Sequence, residues 1–252
     1  MATLRWEDAG CTGIVLGAAP PGEQHAVPAF VRDCAVPIVV CSGAVAAVRG
    51  TATLIRTGKQ IVLLTAAHLF DDRVRLGDLM LPLPASGAWL SLDSAHVRCE
   101  IDADIAVIRP DPQAQAALAK EWRAVPLGAV AGTGLAAGED GMHYVAGYPA
   151  ALSRLHEQWL VARRLLVMSG ELAPGSAAGE SGHDLLLEYR RVAARPDGQP
   201  IHTPPLDGVS GAAVWGVRRV GGRRHLVIVG VQSSFCHGRY LRAHRVTPLQ
   251  IR

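Results

Sequence analysis

The sequence predicts an all-β protein, and three observations carry that expectation. Its 252 residues include 27 glycines and 16 prolines, which punctuate many short apolar runs. Runs of that length and spacing favour an antiparallel β sandwich or barrel over alternating β/α units. The two halves of the chain also hold similar numbers of such runs, which suits two packed barrels.

Taken in order, the candidate strands are residues 36–41, 51–56, 60–65, 88–92, 105–108, 143–146, 159–168, 185–192, 212–217 and 225–232. One helix is convincing, within residues 112–122, because Pro112 suits a first turn and alanine, glutamine, leucine and lysine follow. A stretch rich in glycine and alanine, residues 128–141, comes next, so helix and loop read as a connector between the halves. The expected division is residues 1–125 and 126–252. Residues 220–224, Val-Gly-Gly-Arg-Arg, read as a hairpin turn with solvated arginines rather than a nucleic-acid contact. No repeat of solenoid length occurs.

Composition narrows the function classes. Apolar residues make up 49% and charged residues 19%, too apolar a balance for a disordered chain. No apolar run reaches the roughly 20 residues of a membrane span. A net charge of +3 argues against a dedicated nucleic-acid binder. Residues 1–22 make a poor secretory signal, since Glu7 and Asp8 stand where a basic region belongs. Cys11, Cys34, Cys41, Cys99 and Cys236 are odd in number and lack CxxC spacing, so they read as buried thiols rather than a disulfide framework or a zinc site. A cytoplasmic location is the expectation.

Three segments carry chemistry. The first is Gly50-Thr51-Ala52-Thr53-Leu54, then Ile61-Val62-Leu63-Leu64-Thr65-Ala66-Ala67-His68, a β-rich stretch that delivers a histidine after small residues. The second is Asp102-Ala103-Asp104-Ile105-Ala106-Val107-Ile108. A carboxylate leading a buried strand is costly unless paired, which suits a group that orients an imidazole; a turn residue at a strand start is the plainer reading. In an extended chain Asp102 and Asp104 share a face, so spacing leaves both open. The third is Asp207-Gly208-Val209-Ser210-Gly211-Ala212, in which a glycine two before the serine lets the Gly208 and Ser210 amides aim at one spot.

Together these segments resemble the trypsin-like serine peptidases, in their bacterial branch. Thr-Ala-Ala-His resembles the segment of the family's general base, Asp-Ile-Ala-Val its aspartate motif, and Gly-Val-Ser-Gly-Ala its Gly-x-Ser-Gly-Gly nucleophile loop with Ala212 for the last glycine. Gly50-Thr51-Ala52-Thr53 is similar to a bacterial Gly-Thr-Gly-Phe strand, and Val145-Ala146-Gly147-Tyr148-Pro149 to a bacterial strand-turn. The order His, Asp, Ser is the chymotrypsin-type order. The resemblance implies two six-stranded antiparallel β-barrels joined by a short linker helix, with a cleft between them. It implies a triad of His68, Asp104 and Ser210, with Asp102 as fallback, and an oxyanion hole of the Gly208 and Ser210 amides. Gln232, Ser233 and Ser234 would bind substrate along the following strand. Such chemistry needs no metal or cofactor, and the partner implied is a protein or peptide substrate, with no nucleic acid and no membrane.

Gly179-Glu180-Ser181-Gly182, followed by His183-Asp184, is a second Gly-x-Ser-Gly. Adjacent His and Asp cannot easily form a triad with that serine, because the base must lie between nucleophile and orienter. No Gly-x-Ser-x-Gly elbow is present, which removes the main support for an α/β-hydrolase. Val209 occupies the place of the aspartate that activates trypsin-like zymogens, so that activation style is not expected. Control is expected from a regulatory partner, from substrate, or from cleavage of a loop at 170–182 or 193–203. Pro204 stands where relatives that cut after Lys or Arg carry an acid. Two rival readings remain, a catalytically silent binding module and an esterase using the same triad. By analogy alone, a place in a bacterial signalling or defence cascade would fit.

Overall fold

The computed structural model describes residues 4–16, 26–42, 45–71, 74–131, 142–178, 180–220 and 223–252. Residues 132–141 of the glycine-rich connector, Gly179, and Gly221 and Gly222 at the tip of the expected hairpin lie outside the described residues. The elements run β1 (Arg5–Leu16), α1 (Ala26–Asp33), β2 (Ala35–Ser42), β3 (Val45–Thr57), β4 (Gln60–Thr65), β5 (Leu79–Leu83), β6 (Ala88–Ser91), β7 (His96–Glu100) and β8 (Ile105–Arg109). Then come α2 (Pro112–Glu121), β9 (Val125–Pro126), β10 (Met142–Gly147), β11 (Ser153–His156), β12 (Trp159–Gly170), β13 (Asp184–Glu188) and β14 (Val192–Ala194). The chain closes with β15 (Pro200–His202), β16 (Ala213–Val220), β17 (Arg223–Cys236), β18 (Tyr240–Arg245) and α3 (Pro248–Ile251).

Two sheets result. The first runs β6-β5-β2-β3-β4-β8-β7, with β9 alongside β3. The second runs β13-β18-β17-β16-β10-β12-β1-β14-β15, with β11 alongside β12. A bridge between Glu171 and Leu187 joins the end of β12 back to β13, so six of these strands close into a ring. Pairing is antiparallel except for β1 with β12 and β3 with β9.

Strand periodicity explains how the sheets pack. In β4, Ile61 and Leu63 point into the core of the first sheet, while Val62 and Leu64 join the layer between the sheets. In β10, Val145 enters the core of the second sheet, while Met142, Tyr144 and Ala146 enter the shared layer. Both faces of these central strands are buried. That is why they read as unbroken apolar runs rather than alternating ones.

The expected helix forms where the sequence places it. The Asp111 carboxylate accepts from the Gln113 and Ala114 amides, each at 2.9 Å, Pro112 opens the helix, and Leu118 anchors it in the first core. Those bonds also hold the Asp111 carboxyl below its ordinary pKa. Among the described residues no helix is long and apolar enough to cross a membrane.

Residues 5–16 depart from expectation. They form a twelve-residue strand absent from the expected set, and it pairs with β12 of the second sheet although the expected division grouped them with the first. Its Trp6 ring packs edge-on against Tyr148 and Trp89, with centroids 5.5 and 6.2 Å away. Trp89 Nε1 donates to the Leu4 carbonyl at 2.7 Å, so this strand ties the two sheets together.

Candidate active site

The apolar run of β4 ends at Thr65, and the chain turns through Ala66 into a 3-10 turn, Ala67–Phe70, that carries His68. Ala66 and Ala67 are buried while His68 is exposed, so small residues set the ring at the edge of the sheet. Asp104 grips this turn at three points. Its carbonyl accepts from the Ala67 amide at 3.2 Å, Oδ1 accepts from the His68 amide at 2.8 Å, and Oδ2 lies 2.8 Å from His68 Nδ1. Nε2, across the ring, therefore faces away from the carboxylate.

Asp104 reaches this position with φ of +48°, in the left-handed region, just before β8. Aspartate tolerates that conformation better than most residues, at a cost of roughly 1–2 kcal/mol. Strain of this kind is typical of functional sites. Asp102 is exposed, and the side-chain oxygens that bond to His68 are those of Asp104.

The 207–212 loop lies against the same turn. The Thr51 amide donates to the Ser210 carbonyl at 2.8 Å. Gly211, at φ +91°, approaches so closely that an added Cβ would collide with Thr65 Oγ1 and the Thr51 carbonyl and sit 2.9 Å from the Ala66 amide nitrogen. Ser210 is thus delivered beside the segment that leads into His68. Its Oγ donates to the Ser233 carbonyl at 3.5 Å, and among the described residues no hydrogen bond joins it to His68.

Gly208 adopts φ +89°, and an added Cβ would stand 2.6 Å from the Tyr148 carbonyl oxygen. Within the loop, the Val209 amide donates to Leu206 and the Gly211 amide to Gln232, each at 2.8 Å. Among the described residues the Gly208 and Ser210 amides have no backbone acceptor, and these are the two amides expected to form an oxyanion hole.

The strand after the serine is more varied than its sequence suggests. Gln232 is fully buried: its backbone joins Ala212 and Gly211, its Nε2 donates to the Ser234 carbonyl at 3.0 Å, and among the described residues its Oε1 has no partner. Ser233 is buried at a register break between β17 and β18, and Ser234 is exposed. The segment before the serine is lashed down by hydrogen bonds that the sequence did not reveal. The Tyr189 hydroxyl donates to the Pro204 carbonyl at 2.5 Å, Thr203 Oγ1 donates to the Arg190 carbonyl at 2.7 Å, and His237 Nε2 lies 3.0 Å from the Thr203 carbonyl.

The second serine motif has a structural explanation. Asp184 accepts the Ser181 amide at 2.9 Å and places its other oxygen 2.9 Å from His244 Nδ1, in register between β13 and β18. Ser181 Oγ accepts from the His183 amide at 3.3 Å, closing a turn. Asp184 thus serves a turn amide and a cross-strand neighbour rather than the Ser181 hydroxyl. No group of His, Cys, Asp and Glu among the described residues could hold a metal ion.

Two sheets curled around separate cores, with the three motif segments at their junction, define a chymotrypsin-like all-β fold of two barrels. Among solved structures, the thermostable serine protease AL20 from an extremophilic microorganism is similar: 12% identity and a TM-score of 0.53, over 87% of this chain and 94% of that one. A structure titled for the coupled folding and binding of the intrinsically disordered Sesbania mosaic virus VPg protein aligns at 15% identity and a TM-score of 0.47, over 84% and 85% of the two chains. No family profile matches the chain, and no curated protein matches it at a significant level.

Proposed function

We propose that the protein is a serine endopeptidase with His68, Asp104 and Ser210 as its triad. The observation that carries this reading is the His68–Asp104 pair, 2.8 Å apart through Nδ1, with the serine loop packed against the turn that bears the histidine. Neutral His68 takes the Ser210 proton at Nε2 as Ser210 Oγ attacks the peptide carbonyl carbon. Asp104 holds the tautomer with its proton on Nδ1 and stabilises the imidazolium that forms. The Gly208 and Ser210 amides stabilise the oxyanion. His68 returns the proton to the leaving amine, and water, activated by the same ring, releases the acyl group. Substrate backbone pairs along Ser233 and Ser234, while the buried Gln232 shapes that strand from behind.

Two experiments test the proposal. A fluorophosphonate probe should label the protein, and Ser210→Ala should abolish labelling. A peptide-library digest should show cleavage that Ser210→Ala and His68→Ala lower on the order of 10⁴-fold or more. Labelling without cleavage of any peptide would favour an esterase, and absence of both would favour a binding module.

A further inference from the structure

We infer that Thr51 is a positioning residue for the oxyanion loop, and that its hydroxyl sets the orientation of the Gly208 peptide. This rests on the reading of the serine loop given above. Thr51 lies in β3 of the first sheet and is fully buried. Its Oγ1 donates to the Gly208 carbonyl at 2.9 Å and accepts from the Tyr148 amide at 3.2 Å. Its amide donates to the Ser210 carbonyl at 2.8 Å, and its carbonyl accepts from Thr65 Oγ1 at 2.7 Å. One residue of the first sheet thus holds both sides of the residue between Gly208 and Ser210.

The geometry explains why this matters. An oxyanion hole exists only when the amides of Gly208 and Ser210 point out of the loop together. A peptide plane is rigid, so fixing a carbonyl fixes the amide on its other side. The Asp207 carbonyl accepts from the Ala150 amide at 2.6 Å, which turns the Gly208 amide the opposite way. Thr51 fixes the next plane by taking the Gly208 carbonyl. Glycine at φ +89° has little conformational preference of its own, so nothing intrinsic keeps these planes from rotating. Thr51 and Ala150 are the external restraints. The Thr51 hydroxyl also joins them, because it accepts the amide of Tyr148, two residues before Ala150.

The test compares wild type with Thr51→Val and Thr51→Ser. Valine keeps the branched shape and loses the hydroxyl, while serine keeps the hydroxyl. Hydrogen exchange of the Val209 and Gly211 amides, followed by NMR under native conditions, reads the loop directly. Peptide hydrolysis reads its consequence. Thr51→Val should speed exchange at these two amides tenfold or more while the β4 and β12 amides stay protected, which separates loop release from global destabilisation. It should lower kcat by roughly 10- to 100-fold, less than the 10²–10³ typical of deleting an oxyanion donor, with KM within about twofold. Thr51→Ser should restore both. Unchanged loop exchange in a folded Thr51→Val protein would overturn the inference. A wild type without hydrolytic activity would instead refute the peptidase reading, and the exchange comparison would still decide the role of Thr51.

Discussion

Replacing His143 with leucine should remove a measurable part of the protein's sensitivity to acid. His143 is fully buried in β10, on the Val145 face that lines the core of the second sheet, and among the described residues neither ring nitrogen has a hydrogen-bond partner. Burial, reinforced by the nearby Arg245 guanidinium, depresses its pKa from 6.5 to about 4. Arg245 itself pairs with Glu171 at 3.0 Å. Between pH 6.5 and 4 the unfolded chain therefore binds a proton that the folded chain refuses. Because the unfolded state holds more protons in that window, stability rises with pH across it. The contribution is complete above pH 6.5, declines by about 1.4 kcal/mol per pH unit below it, and is lost by pH 4, a total of about 3 kcal/mol. Urea unfolding followed by tryptophan fluorescence at pH 7.5, 6, 5 and 4.5 gives the two stability profiles. Other acidic groups cancel in the difference between wild type and His143→Leu. At pH 7.5 the variant should be at least as stable as wild type, because leucine removes two unpaired polar atoms from the core. At pH 4.5 it should be more stable by a further 2–3 kcal/mol or so. Parallel profiles for the two proteins would refute the reasoning.

Other substitutions probe the site. Asp104→Asn should lower kcat on the order of 10⁴-fold by stabilising the wrong tautomer of His68, while Asp102→Asn should change it less than about twofold; steady-state peptide hydrolysis makes the comparison. Ser181→Ala should leave probe labelling unchanged and stability within about 0.5 kcal/mol, since its hydroxyl only closes a turn. Gly211→Ala should destabilise by more than about 3 kcal/mol in a urea titration, because the methyl group meets Thr65 and Thr51 at a left-handed backbone position.

What was legible in the sequence follows from the distance over which each feature is determined. Thr-Ala-Ala-His and Gly-Val-Ser-Gly specify their own local backbone, so His68, Gly208 and Ser210 could be named as candidates from adjacent residues. The choice between Asp102 and Asp104 could not be made from spacing, because strand alternation puts both on one face. Asp104 breaks that alternation with its left-handed φ, and a dihedral angle of that kind has no signature beyond the residue type. β1 was missed because Gly10, Gly13 and a bulge between Asp8 and Cys11 interrupt its pattern, and because its partner β12 lies in the other half of the chain. Thr51 stood out only as part of the Gly50-Thr51-Ala52-Thr53 segment, and nothing there pointed to a bond with the serine loop. In sequence it is one more β-branched residue within a strand, and its bonds to Gly208 and Ser210 exist only once the second sheet has folded against the first. Tyr189 and His237 belong to the same class of contact.

On the proposed function, Val209 accounts for how the serine loop is held without the ion pair that matures a trypsin-like zymogen. The side chain is buried in the core of the second sheet with Leu206, Ala212 and Val214. Burying a valine stabilises by roughly 1.5 kcal/mol or more, and the hydrogen bonds to Asp207, Gly208 and Ser210 contribute about 1 kcal/mol each. These terms involve no ionisable group and no new chain terminus, so the loop has its restraints as soon as the chain folds. The expected outcome is that intact, single-chain protein reacts stoichiometrically with a fluorophosphonate probe, and that nicking the chain at 170–182 or 193–203 does not raise the labelled fraction. Mass spectrometry of the labelled protein measures both. A probe that reacts only after cleavage would mean that the loop needs a restraint beyond Val209, Thr51 and Ala150, and would refute this account of how it is held.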